Sequence, residues 1–167
     1  MRWLILPLLM LSFSAKAQQT SKPCSSDTMY RQFDFWLGEW EVYGPKGKAG
    51  DSKIERLLDS CVVLENWTSM RAGYAGKSFN TYNASTKQWQ QTWVDNFGGS
   101  TEYLRGHAGK DMIVFYADEN AGTDGKNFLR RLTFYKLSEN KVRQHGERSD
   151  DDGKTWTTEY DLEYRRK

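Results

Sequence analysis

The chain has 167 residues, with 24 lysines and arginines against 22 aspartates and glutamates and two histidines. That length supports one ordinary domain with its own core. The near balance of charge, without a basic tract or stripe, argues against a nucleic-acid partner and against electrostatic docking on anionic membranes.

Residues 1–17 read as a cleaved signal peptide. Arg2 precedes an apolar run from Trp3 to Phe13, and Ala15-Lys16-Ala17 gives the small-x-small cleavage pattern. The run is shorter than the roughly 20 residues that span a bilayer, so a signal is favoured over an anchor. Cys24 follows Ser21-Lys22-Pro23, which is no lipobox. The expected location is therefore periplasmic or secreted, with no membrane insertion after cleavage. Cleavage removes two bases and no acid, leaving 22 of each. Cys24 and Cys61 are the only cysteines, and an even pair in an oxidising compartment reads as one disulfide. A reactive thiol is the alternative, but no nearby histidine or C-x-x-C supports it.

Residues 18–35 form an N-terminal segment with one short helical turn between Thr28 and Phe35, capped by Ser26 or Asp27. From residue 36 to 167, turn residues recur at short intervals between runs of Trp, Tyr, Phe, Val, Ile and Thr. Trp36, Gly38, Trp40 and Val42 alternate with Leu37, Glu39 and Glu41. Trp89, Gln91, Trp93 and Asp95 alternate with Gln90, Thr92 and Val94. Asp111 to Ala117 is apolar on both faces. Trp156, Thr158, Tyr160, Leu162 and Tyr164 oppose Thr157, Glu159, Asp161, Glu163 and Arg165. Such period-two runs predict an all-β fold, a single up-and-down antiparallel β-barrel of roughly 8–10 strands. Closure removes the two bare edges of an open sheet, whereas a two-sheet sandwich needs long crossovers that the sequence lacks.

The stretch "RSDDDGKTWT", Arg148 to Thr157, tests whether acids mean chemistry. As an EF-hand loop with Gly153 at position six, it places Arg148 where the metal needs an acid. Ser149, Asp151, Gly153, Thr155 and Trp156 instead match S-x-D-x-G-x-T-W, similar to the Asp-box of sialidase propellers. A propeller repeats that motif in each blade, and here it occurs once, so the reading is a structural hairpin turn. His107 and His145 fall in no metal-ligand spacing. No nucleophile elbow is present, and neither a metal nor a cofactor is called for.

Polar residues share faces with tryptophans: Gln91 and Asp95 with Trp93, Glu65 with Trp67, Asn80 with Tyr82, and Glu147 with His145. Directed inward, this set (Glu65, Trp67, Asn80, Tyr82, Gln91, Trp93, Asp95, His145 and Glu147) would line a cavity with apolar walls and a few orienting polar groups. A one-residue slip reverses every assignment, and mutual pairing, such as Glu65 with Arg131, would fill the space instead. Glu65 and Glu147 as an acid pair would make the barrel a hydrolase or isomerase. A structural envelope module, working through its loops, is the remaining class.

Gly38-Glu39-Trp40 resembles the G-x-W signature of the calycins, the lipocalin and fatty-acid-binding superfamily. There the tryptophan closes one barrel end against a late arginine, here Arg165 or Arg166. "RQFDFWLGEWEVY", "CVVLENW", "GKSFNTYN", "KQWQQTWVDNFGG" and "VRQHGERSDDDGKTWT" together resemble a family of exported bacterial proteins, a domain of unknown function with a calycin-like barrel. The resemblance implies a fold and carries no chemistry. The expectation is an exported protein that binds a small, partly apolar molecule.

Overall fold

The computed structural model describes residues 24–117, 120–121 and 127–167. The expected signal peptide, and residues 18–23 of the segment after it, lie outside them. Three 3-10 turns, Cys24–Ser26, Thr28–Arg31 and Asp34–Trp36, lead into the sheet. The second starts where Asp27 accepts the Met29 amide at 3.0 Å, a short polar side chain satisfying an otherwise unpaired donor.

The strands are β1 (Gly38–Gly44), β2 (Gly47–Leu57), β3 (Val62–Ser69), β4 (Ala75–Asn83), β5 (Gln88–Asp95), β6 (Ser100–Gly109), β7 (Met112–Tyr116), β8 (Asn120–Ala121), β9 (Asn127–Ser138), β10 (Lys141–Ser149) and β11 (Thr157–Arg166). The two-residue β8 pairs only with β9. Among the described residues the other ten form a closed ring of antiparallel neighbours. β7 pairs with β9, and β11 returns to β1 with Trp40 opposite Arg166. The expected all-β, up-and-down barrel is therefore the fold.

Register fixes which residues enter the lumen. Trp40 faces Ser52, Ser52 faces Trp67, Trp67 faces Gly76, and Gly76 faces Asp95. The next inward layer runs Ile54, Glu65, Ser78 and Trp93, and the one after it includes Val63, Asn80 and Gln91. Because antiparallel partners share a face, each layer is a row of side chains around the wall.

One half of the lumen is solid. The N-terminal turns insert Phe33 and Trp36, both fully buried, among Trp89, Phe115, Phe134, Val142 and Tyr164. Phe33 stacks on Trp36 at 5.0 Å between centroids, and Trp36 meets Phe134 at 4.5 Å. Two indole N–H groups reach partners, Trp40 donating to the Trp36 carbonyl at 2.8 Å and Trp89 to Gln32 Oε1 at 2.9 Å, while the buried Trp36 Nε1 finds none among the described residues. Each buried ring contributes about 1.5–3 kcal/mol of apolar transfer.

Arg166 seals this end. Its guanidinium lies 4.2 Å from the centre of the Trp40 ring and donates to the carbonyls of Leu37 and Glu139, each at 3.0 Å. Arg165, the other arginine that could have served, points outward and stacks on Tyr43 at 4.1 Å. Alternation explains the difference: Arg166 shares its face with Tyr164, and Arg165 does not. Gly38 has φ of +123°, and a Cβ there would sit 2.3 Å from Arg166 Nη1. The glycine of G-x-W thus makes room for the closing arginine.

The disulfide joins Cys24 to Cys61 across 37 residues. It lands in the β2–β3 turn, one residue before β3. That turn passes through Leu58, Asp59 and Ser60, all left-handed, a conformation costing about 1–2 kcal/mol per side-chain-bearing residue. The disulfide and a 2.7 Å bond from Arg31 Nη2 to the Ser60 carbonyl hold it in place. Among the described residues no helix is long and apolar enough to cross a membrane.

Replacing both cysteines by serine is expected to lower unfolding free energy by about 3–4 kcal/mol in the chain-entropy treatment. Urea unfolding at neutral pH, followed by tryptophan fluorescence, measures the loss.

Candidate functional site

The other half of the lumen is hollow. A cavity of about 400 Å³ opens away from the plug, lined by Trp67, Tyr74, Gln91, Trp93, Tyr103, Arg130, Gln144, Tyr160 and Tyr164 among others. Its walls depend on glycines opposite rings. A Cβ at Gly76 would lie 2.3 Å from Trp93, one at Gly146 2.3 Å from Tyr160, and one at Gly50 2.7 Å from Trp67. Each ring occupies the space that a side chain on the next strand would fill. The three rings therefore lie along the wall rather than across the lumen. Tyr160 is hemmed in by protein yet keeps 36% of its surface open, because that surface faces the cavity.

The floor is a chain of polar side chains running from one wall to the other. Gln91 Nε2 donates to Asn80 Oδ1 at 2.7 Å, and Asn80 Nδ2 to Ser78 Oγ at 3.1 Å. Ser78 Oγ donates to Glu65 Oε2 at 3.0 Å, and Ser52 Oγ to Glu65 Oε1 at 2.9 Å. The Tyr164 hydroxyl lies 3.0 Å from Glu65 Oε1 and 2.8 Å from Gln144 Oε1. Every member is at least nine-tenths buried. Burial pushes the Glu65 carboxyl above its ordinary value, against the pull of the hydrogen bonds from Ser52, Tyr164 and Ser78. The same burial, with Glu65 beside it, pushes the Tyr164 hydroxyl up.

Higher on the wall, Arg130 forms a two-pronged ion pair with Glu159 at 2.9 and 3.0 Å, which raises Arg130 further. At the mouth, Tyr74 stacks on the exposed Phe97 at 5.8 Å, with Arg71 over the outer ring.

Of the residues expected from sequence to line an interior site, Glu65, Trp67, Asn80, Gln91 and Trp93 come together around this space. Tyr82 also faces in, but at the plugged end, where it packs on Trp89 and Tyr30. Asp95 sits on the rim and accepts the amides of Phe97 and Gly99 at 2.9 and 3.0 Å, so it shapes a turn. His145 and Glu147 need correction. Val142, Gln144 and Gly146 face the lumen, so alternation turns Arg143, His145 and Glu147 outward. There Glu147 pairs with Arg131 at 2.8 and 2.9 Å, and His145 lies 3.0 Å from Thr158 Oγ1. The Arg131 bond holds the Glu147 carboxyl below its usual range. An acid pair of Glu65 and Glu147 is thereby ruled out, since the barrel wall separates them.

Sequence reasoning missed Ser52, Ser78, Tyr103, Arg130, Gln144 and Tyr164. The signal for Tyr164 was present in its strand's alternation. Serines and a glutamine in short polar strands carry none.

The 149–157 turn lies beside the cavity mouth and is closed by its own side chains. Asp151 Oδ1 accepts Ser149 Oγ and the Thr155 amide, each at 2.8 Å, and Oδ2 accepts Thr155 Oγ1 at 2.6 Å. Gly153, at φ +82°, donates to Ser149 Oγ at 2.8 Å, and Trp156 Nε1 donates to the Gly153 carbonyl at 3.1 Å. Both carboxylate oxygens are thus occupied by protein donors. No cluster of three metal-ligating side chains occurs among the described residues.

No protein-family model and no curated protein matches the sequence.

The Asp151 hydrogen bonds, led by Thr155, lower its carboxyl from 3.8 to about 2. The unfolded chain binds that proton more tightly, so the stabilisation is complete above about pH 4 and is lost as pH falls towards 2. Thermal melts should show Asp151→Asn less stable than wild type at pH 7, with the gap closing by about pH 2.

Proposed function

We propose that the protein is exported and binds a small, partly apolar molecule in the open half of a calycin-like barrel. The observation that carries this reading is the hollow itself: aromatic faces on the walls above a floor of hydrogen-bonding side chains. Its volume falls in the range of about 300–1,000 Å³ typical of small-molecule sites, which combine apolar walls with a few fixed polar groups. A lumen meant only for stability would be filled, since cavities cost free energy. Asn80, Gln91 and Glu65 would be replaced there by apolar groups that need no partner. The exposed Phe97 beside Tyr74 gives an apolar molecule a first contact at the mouth. Kinship with calycins is supported by Gly38, Trp40 and Arg166 at the barrel's closed end. Export is supported by the composition of residues 1–17 and by the Cys24–Cys61 disulfide.

Native mass spectrometry of the protein purified from its own host tests the reading. The expected result is a second mass from a bound small molecule, lost when Trp67 and Trp93 are both replaced by alanine. A bare chain, together with tryptophan fluorescence indifferent to a panel of uncharged ring compounds, would sink the idea.

A further inference from the structure

The floor of the cavity has a direction, and proton counting reveals it. Gln91 gives its amide N–H to Asn80, so its carbonyl oxygen has no protein partner among the described residues and is left to the cavity. At the far end Gln144 receives the Tyr164 hydroxyl on its carbonyl, and its NH2 has no partner among the described residues. Both side chains are more than nine-tenths buried, yet each ends in an atom that only a cavity occupant can satisfy.

Between them, Tyr164 has two acceptors within reach, Glu65 Oε1 and Gln144 Oε1, and one proton to give. With a neutral Glu65, the carboxyl O–H donates to Tyr164, Tyr164 donates to the Gln144 carbonyl, and the Gln144 NH2 faces the cavity. With an ionised Glu65, Tyr164 turns its proton to the carboxylate. Gln144 then keeps a bond to Tyr164 only by rotating its amide, which brings its carbonyl into the cavity.

We propose that Gln144 is a specificity-determining residue of this site and that Glu65, acting through the Tyr164 hydroxyl, sets whether it offers the ligand a donor or an acceptor. With Glu65 neutral, the site selects an uncharged ring compound carrying a carbonyl for Gln144 and an N–H or O–H for Gln91. This deepens the binding role proposed above and rests on it.

The surroundings of Glu65 allow that neutral state. Ser52 faces it from β2, Ser78 from β4, and Tyr164 and Tyr160 from β11. Lys53 and Lys77, on the adjoining strands, stand on the outer face with Glu55 and Asn66. Arg130 is already matched by Glu159. Among the described residues no cation compensates a buried carboxylate at this point, and burial pushes its carboxyl up. The aromatic walls suit a flat ring, and an anion would meet no unmatched cation among the described residues there.

The relay is read first without ligand. In the full chain, the carboxyl carbon resonance of Glu65 and the side-chain amide resonances of Gln144 are followed by NMR from pH 5 to 9. The Gln144 signals should move with the Glu65 midpoint. In Tyr164→Phe, which keeps the ring, Glu65 should still titrate while Gln144 stays put. Gln144 signals that ignore Glu65 in wild type, or still follow it in Tyr164→Phe, overturn the relay. The ligand class is read with 2-naphthamide by tryptophan fluorescence. Its affinity should fall about tenfold once Glu65 ionises, the loss of one good hydrogen bond, and stay level in Glu65→Gln. A wild-type affinity independent of pH overturns the proposal. Binding of 2-naphthoate without 2-naphthamide overturns the ligand class while leaving the cavity a binding site.

Discussion

A barrel of ten strands encloses more space than the side chains of its own wall can fill, eight being about the number at which they suffice. The rest of this molecule answers that excess. At one end the chain solves it with its own N-terminal turns, driving Phe33 and Trp36 into the lumen and pinning them with the Cys24–Cys61 disulfide and Arg166. At the other end no described segment is driven in. Trp67, Trp93 and Tyr160 lie along the wall over Gly50, Gly76 and Gly146, and the surplus volume persists as a cavity. Plug and cavity are two consequences of one strand number.

The polar floor divides the two halves, and its composition is costly. An unpaired charge in a low-dielectric interior is penalised by several kcal/mol, and Glu65 has no cation beside it among the described residues. Hydrogen bonds from Ser52 and Ser78 and the contact with Tyr164 make the group tolerable, and a neutral carboxyl makes it more so. Among the described residues the network is satisfied at every internal link and open only at Gln91 and Gln144, its two ends, both of which border the cavity. A network serving stability alone would close at its ends as well.

The fold was legible because period two is a strong signal when large aromatics mark one face. Trp36 to Val42, Trp89 to Trp93 and Tyr160 to Tyr164 each declared their inner side, and the turn residues between them declared the meander. The disulfide was legible from two cysteines and the expectation of export. β10 was not, since "VRQHGERS" is polar on both faces and its outward members, Arg143, His145 and Glu147, are the conspicuous ones. Their partners, Asp161, Thr158 and Arg131, lie on neighbouring strands, and no local pattern reveals cross-strand pairing. A bulge at Gly146/Glu147 also breaks the alternation of β11. It turns Glu159 to the cavity wall and leaves Trp156 over Arg131, where unbroken alternation would have kept Trp156 inside with Tyr160. Gln144 was missed for the same reason that made His145 attractive: an unremarkable residue took the inner face.

The placement of the acids bears on what chemistry the lumen supports. Two-carboxylate hydrolysis needs a second carboxyl across the substrate from the first. Glu147 lies outside the wall, Asp95 is spent on its turn, and Glu159 is held by Arg130. Among the described residues Glu65 remains, and it meets the cavity through the Tyr164 hydroxyl rather than directly. A single buried acid behind a phenol is a poor nucleophile. It is well suited to fixing the sense of a hydrogen bond, because its proton state is translated into the orientation of one amide. The placement that leaves the described part of the lumen without a second free carboxyl also puts Glu65 where its proton can set the sense of the Tyr164–Gln144 hydrogen bond.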